Sequence, residues 1–342
     1  MPLMRAVQVA APGAEFELVQ KEIPQPKENE VLIKVEACGI CHGDAVVKEG
    51  RFPGITYPRV PGHEVVGKID KLGSKVTGWQ IGQRVGVGWY GGPCLTCESC
   101  KRGDLANCEN FLTTGIHIDG GYAEYMAAPM QGLAAIPDEL TAVEAAPLLC
   151  AGRTTFTALR YSGALAGDLV AVHGLGGLGH LGLQFARKFG FRTVAISRGT
   201  QKEALAYQLG AHYYIDADST DAAAELKKMG GARLILATAP NSKAISALIN
   251  GLCPDGQVLI VAWQNEPMQI SPWQLLGGRR SVKGWTARPA RTSSEDTLQF
   301  SVTAGVLPMV EVFPLEQAAL AYEKMASSKV HFRSVLTMDG QA

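Results

Sequence analysis

The chain lacks an excess of either charge: its 32 Lys and Arg balance 32 Asp and Glu, for a formal net charge of zero. Without a basic field to gather phosphates, a nucleic-acid role loses its main driving force. Long apolar runs are missing too. No stretch reaches the roughly 18 uninterrupted apolar residues a membrane span needs. The opening Met1-Pro2-Leu3-Met4-Arg5-Ala6-Val7-Gln8 carries no apolar core of a secretion signal. The expectation is a cytoplasmic protein with neither membrane nor nucleic-acid partners. Nor is there a fixed-period repeat or a polar linker. Hydrophobic residues make up 46% and charged residues 19%, which excludes a disordered chain. A length of 342 residues supplies two domains at roughly 100–200 residues each.

What is abundant is glycine. There are 39, about 11% against a usual level of roughly 7%, dispersed after short apolar runs as tight turns require. From residue 1 to 150, β-type runs such as Arg5–Val9, Val31–Val35 and Val65–Ile69 are broken by Gly and Pro, which reads as a largely antiparallel β domain. From 151 to 286 the character changes. Leu169–His173 reads as a buried strand and leads into an apolar-periodic helix. Further strands are expected at Thr193–Ser197, Tyr213–Asp216, Leu234–Thr238, Val258–Ala262 and Ser281–Trp285. Helices are expected at Gln201–Leu209, Asp221–Met229 and Ser242–Leu252. Such alternation implies right-handed βαβ units and a doubly wound parallel sheet, an α/β class. Residues 287–342 return to mixed character, with a helix near Leu315–Ala326 and a strand near Arg333–Thr337, a tail that can rejoin the first domain.

The first strand of the alternating region runs into Gly174-Leu175-Gly176-Gly177-Leu178-Gly179. A glycine pattern of this kind is weak alone, but here it follows a strand and opens a helix, the context of a Rossmann dinucleotide site. Gly174 permits the turn, Gly176 lets the backbone approach a pyrophosphate, and Gly179 lets the helix pack closely. At the end of the second strand, where a carboxylate would hold the ribose hydroxyls of NAD, the chain has Ile196-Ser197-Arg198-Gly199-Thr200-Gln201-Lys202. Ser197 and Arg198, helped by Lys202, suit the 2′-phosphate of NADP. If Arg198 is only a solvated turn charge, NAD(H) is the cofactor instead of NADP(H).

Four of the eight cysteines, Cys94, Cys97, Cys100 and Cys108, fall within fifteen residues. Without a secretion signal this spacing points to metal, and four thiolates close a tetrahedral Zn²⁺ site with no open position. It reads as structural, in a lobe over residues 91–110. A second constellation is dispersed: Cys41-His42 with Asp44, His63-Glu64, and Cys150. Two thiolates and an imidazole would leave a fourth position open for water or substrate. On spacing alone these residues are unrelated, Cys41 and Cys150 reading as core thiols and His63 as a satisfied loop histidine.

Taken in order, the Cys-His…Asp, Gly-His-Glu, four-cysteine lobe, third cysteine and glycine fingerprint resemble the zinc-dependent alcohol dehydrogenases of the medium-chain dehydrogenase/reductase superfamily. The yeast-type and cinnamyl-alcohol-type branches are the most similar. The resemblance implies a GroES-like catalytic domain built from both ends of the chain, with the Rossmann domain between. It implies that Cys41, His63 and Cys150 hold a catalytic zinc, with Glu64 as a transient ligand and Asp44 orienting His63. It also implies that His42 and Arg333 face the cofactor pyrophosphate and that Thr154 lies near the nicotinamide. The implied reaction is reversible oxidation of primary alcohols to aldehydes by hydride transfer, with zinc stabilising the alkoxide, in a homodimer or homotetramer.

The chain departs from the family where a Ser or Thr normally follows the Cys-His pair and relays the substrate proton. Here that position is Gly43, and Val46 stands where many members carry a relay histidine. Restoring a serine at 43 is therefore expected to speed alcohol oxidation. The missing hydroxyl also favours a rival reading, a zinc- and dinucleotide-binding protein without turnover. Candidate pocket residues are Phe52, Tyr57, Trp89 and Ile116. The two constellations together predict two zinc equivalents per chain by atomic emission; one equivalent would mean that one of them is only a group of thiols.

Overall fold

The computed structural model describes residues 2–286 and 291–339. The chain forms two compact units, Met1–Arg153 with Arg288–Ala342, and Thr154–Ala287. The first division falls three residues beyond the one expected at 150. The helical run Ala142–Pro147, Leu148–Gly152, Arg153–Arg160 is continuous there. Leu149 packs over Gly86 and Arg153 lies 5.0 Å over the Tyr90 ring, so both side chains belong to the first unit. The boundary expected at 287 lies outside the described residues.

In the first unit a seven-stranded sheet runs in the order Val310–Pro314, Arg333–Thr337, Glu30–Ile40, Val65–Leu72, Arg84–Val87, Leu133–Ala135, with Tyr125–Pro129 also paired to Glu30–Ile40. All its pairings are antiparallel except that of Val310–Pro314 with Arg333–Thr337. The long strand Glu30–Ile40 is its spine. It buries Val31, Ile33, Val35, Cys38 and Ile40 in one cluster with Val65, Val85, Tyr122, Met126 and Leu336. Its C-terminal end delivers Cys41, and its neighbour begins just after His63 and Glu64. A smaller ladder, Tyr90–Gly92 with Leu112–Thr113, frames the four cysteines.

The second unit is a six-stranded, wholly parallel sheet: Tyr213–Asp216, Arg192–Ser197, Leu169–His173, Ala232–Ala237, Leu252–Ile260, Ser281–Gly284. In sequence order this is 3-2-1-4-5-6, the doubly wound arrangement whose reversal point lies beside the first strand. Every residue of Leu169–His173 is buried, as expected for a central strand covered on both faces. The observed helices are shorter than those read from sequence: Glu203–Gln208, Ala222–Lys228 and Ser242–Leu248. Asp221 accounts for one boundary, since its carboxylate caps the N–H groups of Ala223 and Ala224 and so stands outside its helix.

The glycine fingerprint closes on itself. Gly174 adopts φ +96°, where a side chain would be strained, and its N–H donates to the Ile196 carbonyl at 2.8 Å. A Cβ on Gly179 would stand 1.8 Å from the Gly174 carbonyl oxygen, so the close approach it permits is of the helix start to the strand end. Gly176 faces open space, leaving its backbone approachable.

Candidate metal centre and dinucleotide site

The local chain around Cys41 folds as a capped turn. The short helical segment His42–Asp44 has Cys41 as its N-cap, and the Asp44 carboxylate reaches back to accept the Cys41 N–H at 2.9 Å. That reach places Asp44, 1% exposed, beside His63. Its Oδ1 lies 3.0 Å from His63 Nδ1, and its Oδ2 accepts the Tyr122 hydroxyl at 2.9 Å. With a proton on Nδ1 facing Asp44, Nε2 is the nitrogen left over, and it is buried with no hydrogen-bond partner among the described residues.

The orphaned Nε2 points into a cluster. Ligand atoms of Cys41, His63, Glu64 and Cys150 all lie within 4.8 Å of one another, with the two sulfurs 3.8 Å apart. Burial alone would hold the His63 imidazole down, yet the Asp44 charge and hydrogen bond, with Cys41 beside it, raise its pKa. Cys41 is pulled well below the usual thiol range by the hydrogen bond from Cys150, against the cost of burial, and Cys150 is raised by the same bond. Two thiols, an imidazole held at Nδ1 by Asp44 so that Nε2 is the nitrogen left for a metal, and a carboxylate are the donor set of a zinc site with an exchangeable position. The residues present fit that ion.

Glu64 is fully buried and forms an ion pair with Arg333, itself 4% exposed. Burial pushes the Glu64 carboxyl up to about 7 despite the opposing pull of Arg333. Room for it exists because residue 39 is glycine; a Cβ there would fall 2.0 Å from Glu64 Oε2. The structure therefore places Arg333 against Glu64. His42 is exposed at the start of its turn.

The second cluster is Cys94, Cys97, Cys100 and Cys108, again with all four sulfurs within 4.8 Å. Backbone N–H groups converge on it: Cys97 N–H donates to Cys94 Sγ at 3.4 Å, and Cys94 N–H to Cys108 Sγ at 3.3 Å. Cys94 is drawn down to about 5 by hydrogen bonds from the Thr96 hydroxyl and nearby backbone N–H groups, as a thiolate ligand requires.

In the other unit, the loop after Ser197 leaves Arg198 exposed, while Lys202 donates to the Leu175 carbonyl at 2.8 Å and so sits against the glycine fingerprint. Burial, then the charge of Arg198, lowers the Lys202 pKa. Thr154 is half-buried at the start of its unit.

The family model described as Alcohol dehydrogenase GroES-like domain matches residues 27–138, and that described as Zinc-binding dehydrogenase matches residues 177–302. The alcohol dehydrogenase notN of an Aspergillus species is 44% identical over 92% of this chain and 92% of its own. Among solved structures, a cinnamyl alcohol dehydrogenase from Sorghum bicolor superposes with a TM-score of 0.89 at 29% identity, covering 100% of this chain and 99% of its own. A zinc-binding dehydrogenase from Sinorhizobium meliloti, bound to NADP, gives 0.88 at 27% identity, covering 99% and 100%. The chain belongs to the zinc-dependent alcohol dehydrogenases of the medium-chain dehydrogenase/reductase superfamily. It is an enzyme, and its cofactors are zinc and a nicotinamide dinucleotide.

Within this dehydrogenase, several determinants escape the sequence. Tyr122 was not singled out, although its hydroxyl supports Asp44. Asp216 was missed too: it sits one strand beyond the expected acidic position, yet its Oδ1 accepts the Gly199 N–H at 2.7 Å and the Asp218 N–H at 3.0 Å. Tyr214 donates to the Gly199 carbonyl at 2.6 Å, so the cofactor-side loop is pinned on two sides. Of the pocket candidates, Trp89 meets His63 edge-on at 4.9 Å and Phe52 meets Trp89 at 6.1 Å. Ile116 is fully buried in a small core with Val46 and Val47, and the Tyr57 hydroxyl is used on the Val47 carbonyl.

Gly43 has a spatial reason that reverses the expectation for serine. A Cβ there would stand 2.7 Å from His63 Cε1 and 2.9 Å from Trp89 Cζ3. Two ring systems occupy the room a hydroxyl would need. Gly43→Ser should lower kcat/KM and the melting temperature through overpacking of about 1–3 kcal/mol, and adding Trp89→Leu, which relieves only the Cζ3 contact, should recover part of the melting temperature. A faster, equally stable single variant would show that the rings yield. Separately, Asp44→Asn should weaken zinc retention about 10–100-fold in a chelator competition read by atomic emission; unchanged retention would remove Asp44 from the account.

Proposed function

We propose that the enzyme reversibly oxidises primary alcohols to aldehydes, aromatic ones included, with a preference for NADP(H). The observation that carries the cofactor choice is the loop after Ser197. Lys202 sits against the fingerprint at the Leu175 carbonyl, Arg198 stands exposed on the same loop, and Asp216 steadies that loop by accepting the Gly199 and Asp218 N–H groups on Oδ1. The second strand ends without the carboxylate that would hold the ribose hydroxyls of NAD, whereas Ser197, Arg198 and Lys202 complement a 2′-phosphate. The NADP bound by the Sinorhizobium meliloti relative accords with this reading. The alternative is NAD, with Arg198 as a solvated charge.

We assign Cys41, His63 and Cys150, with Glu64 as an exchangeable fourth ligand, to the catalytic zinc, and the four lobe cysteines to a structural zinc, two ions per chain. The bound catalytic ion supplies Lewis-acid polarisation of the substrate oxygen. The protein's own groups do the rest. Asp44 holds the proton on His63 Nδ1 and so keeps Nε2 aimed at the ligand position. Arg333 balances the Glu64 charge in a buried place where an unpaired carboxylate would be costly. Trp89 and Phe52 provide apolar ring surface beside His63 that excludes water and accepts an aryl or alkyl group. The glycine fingerprint and the helix starting at Gly179 take the pyrophosphate on backbone N–H groups, with Thr154 as a further cofactor contact.

A homodimer, or a tetramer built from it, is proposed through the edge strand Ser281–Gly284. Among the described residues that strand pairs on one side only, and Trp273 and Leu276 nearby are 75% and 72% exposed. Among the described residues no helix is long and apolar enough to cross a membrane.

Benzaldehyde reduction by the zinc-loaded enzyme should show a higher kcat/KM with NADPH than with NADH. Arg198→Ala should cost about 10-fold or more with NADPH, the scale of one charge-assisted hydrogen bond, and leave NADH unchanged. An NADH preference in the wild type would overturn the NADP reading.

A further inference from the structure

Ring contacts run without a break outward from the metal-ligand cluster. His63 meets Trp89 at 4.9 Å, Trp89 meets Phe52 at 6.1 Å, and Phe52 meets His117 at 5.9 Å, each close to edge-on. Trp89, Phe52 and His117 are all half-buried, so this wall keeps an accessible flank. Phe111 lies on another side of His117, at 6.4 Å and 89°. The wall is apolar along its length and ends in an imidazole.

That imidazole has a fixed polarity. The Thr113 N–H donates to His117 Nδ1 at 3.0 Å, so the neutral ring carries its hydrogen on Nε2. This is a donor, not an acceptor. Among the described residues Nε2 has no hydrogen-bond partner. It faces Gly54, an exposed residue whose absent Cβ would come no nearer than 3.4 Å. A Cβ at residue 54 would touch Nε2, a contact that the glycine spares.

We infer that His117 is a specificity-determining residue whose Nε2–H donates a hydrogen bond to a second oxygen of the substrate, remote from the reacting carbon. This rests on the aromatic-pocket reading above and narrows it. The favoured substrates are aryl or alkenyl alcohols and aldehydes that carry an ether, hydroxyl or carbonyl oxygen at the far end. A donor partly withdrawn from water by two phenyl rings discriminates well between an acceptor and a methylene, because the methylene leaves the N–H unmatched.

The test uses 4-methoxybenzaldehyde against 4-ethylbenzaldehyde, which differ by an ether oxygen in place of a methylene, and the same pair lengthened by a vinyl group. In the full-length zinc-loaded enzyme, His117→Phe should lower the methoxy-to-ethyl ratio of kcat/KM about 3- to 10-fold in at least one pair, the size of one neutral hydrogen bond. The ethyl substrate should stay near wild type. His117→Gln, which retains an N–H, should keep most of the ratio. An unchanged ratio in both pairs overturns the proposal, and so does an equal loss on both members, which marks a packing role. If the wild type reduces none of these aldehydes, the pocket reading fails on its own. Quenching of tryptophan fluorescence by the corresponding alcohols then decides, and equal Kd values for methoxy and ethyl forms reject the role of His117.

Discussion

A histidine offers a metal one lone pair, and which nitrogen offers it depends on where the other keeps its proton. In this protein that choice is made by the buried contact between His63 Nδ1 and Asp44 Oδ1 at 3.0 Å. Much of the surrounding architecture serves it. The turn after the long strand Glu30–Ile40 exists because Asp44 also accepts the Cys41 N–H, so one carboxylate both shapes the backbone that carries the first thiol and orients the imidazole. Tyr122, fully buried in the sheet core, supplies its hydroxyl to the other oxygen. A carboxylate buried this deeply would be costly without such partners.

The same crowding sets the rest of the site. Glycine at 39 admits the Glu64 carboxylate, and glycine at 43 admits the His63 and Trp89 rings. Arg333 arrives from the far end of the chain because its strand joins the strand Glu30–Ile40 and balances Glu64. The catalytic-type cluster thus draws on residues from 41 to 333 within one unit, while the lobe cysteines are contributed by a single short segment. This difference is the physical reason that one cluster is legible from spacing and the other is not.

What the sequence revealed follows the same line. Local patterns carried through: the glycine fingerprint after a strand, the alternation that yields a parallel sheet, and the four-cysteine spacing all depend on neighbours in the chain. The strand Tyr213–Asp216 was legible to the residue, but the work of its side chains was not, because Asp216 and Tyr214 act on a loop seventeen and fifteen positions away. The Tyr122–Asp44 bond spans 78 positions and the Arg333–Glu64 pair 269. No periodicity encodes such pairs. Gly43 is a related case: along the chain its missing side chain reads as a lost hydroxyl, and only the fold places the His63 and Trp89 rings against that position.

The most direct test of the account is anomalous scattering at the zinc edge from crystals of the zinc-loaded enzyme. Two peaks are predicted. One should lie at bonding distance, roughly 2.0–2.3 Å, from Cys41 Sγ, Cys150 Sγ and His63 Nε2, with the Nδ1 contact to Asp44 intact, and the other among the four lobe sulfurs. A peak in the lobe alone, or a zinc on the two thiols with His63 turned away, would contradict it.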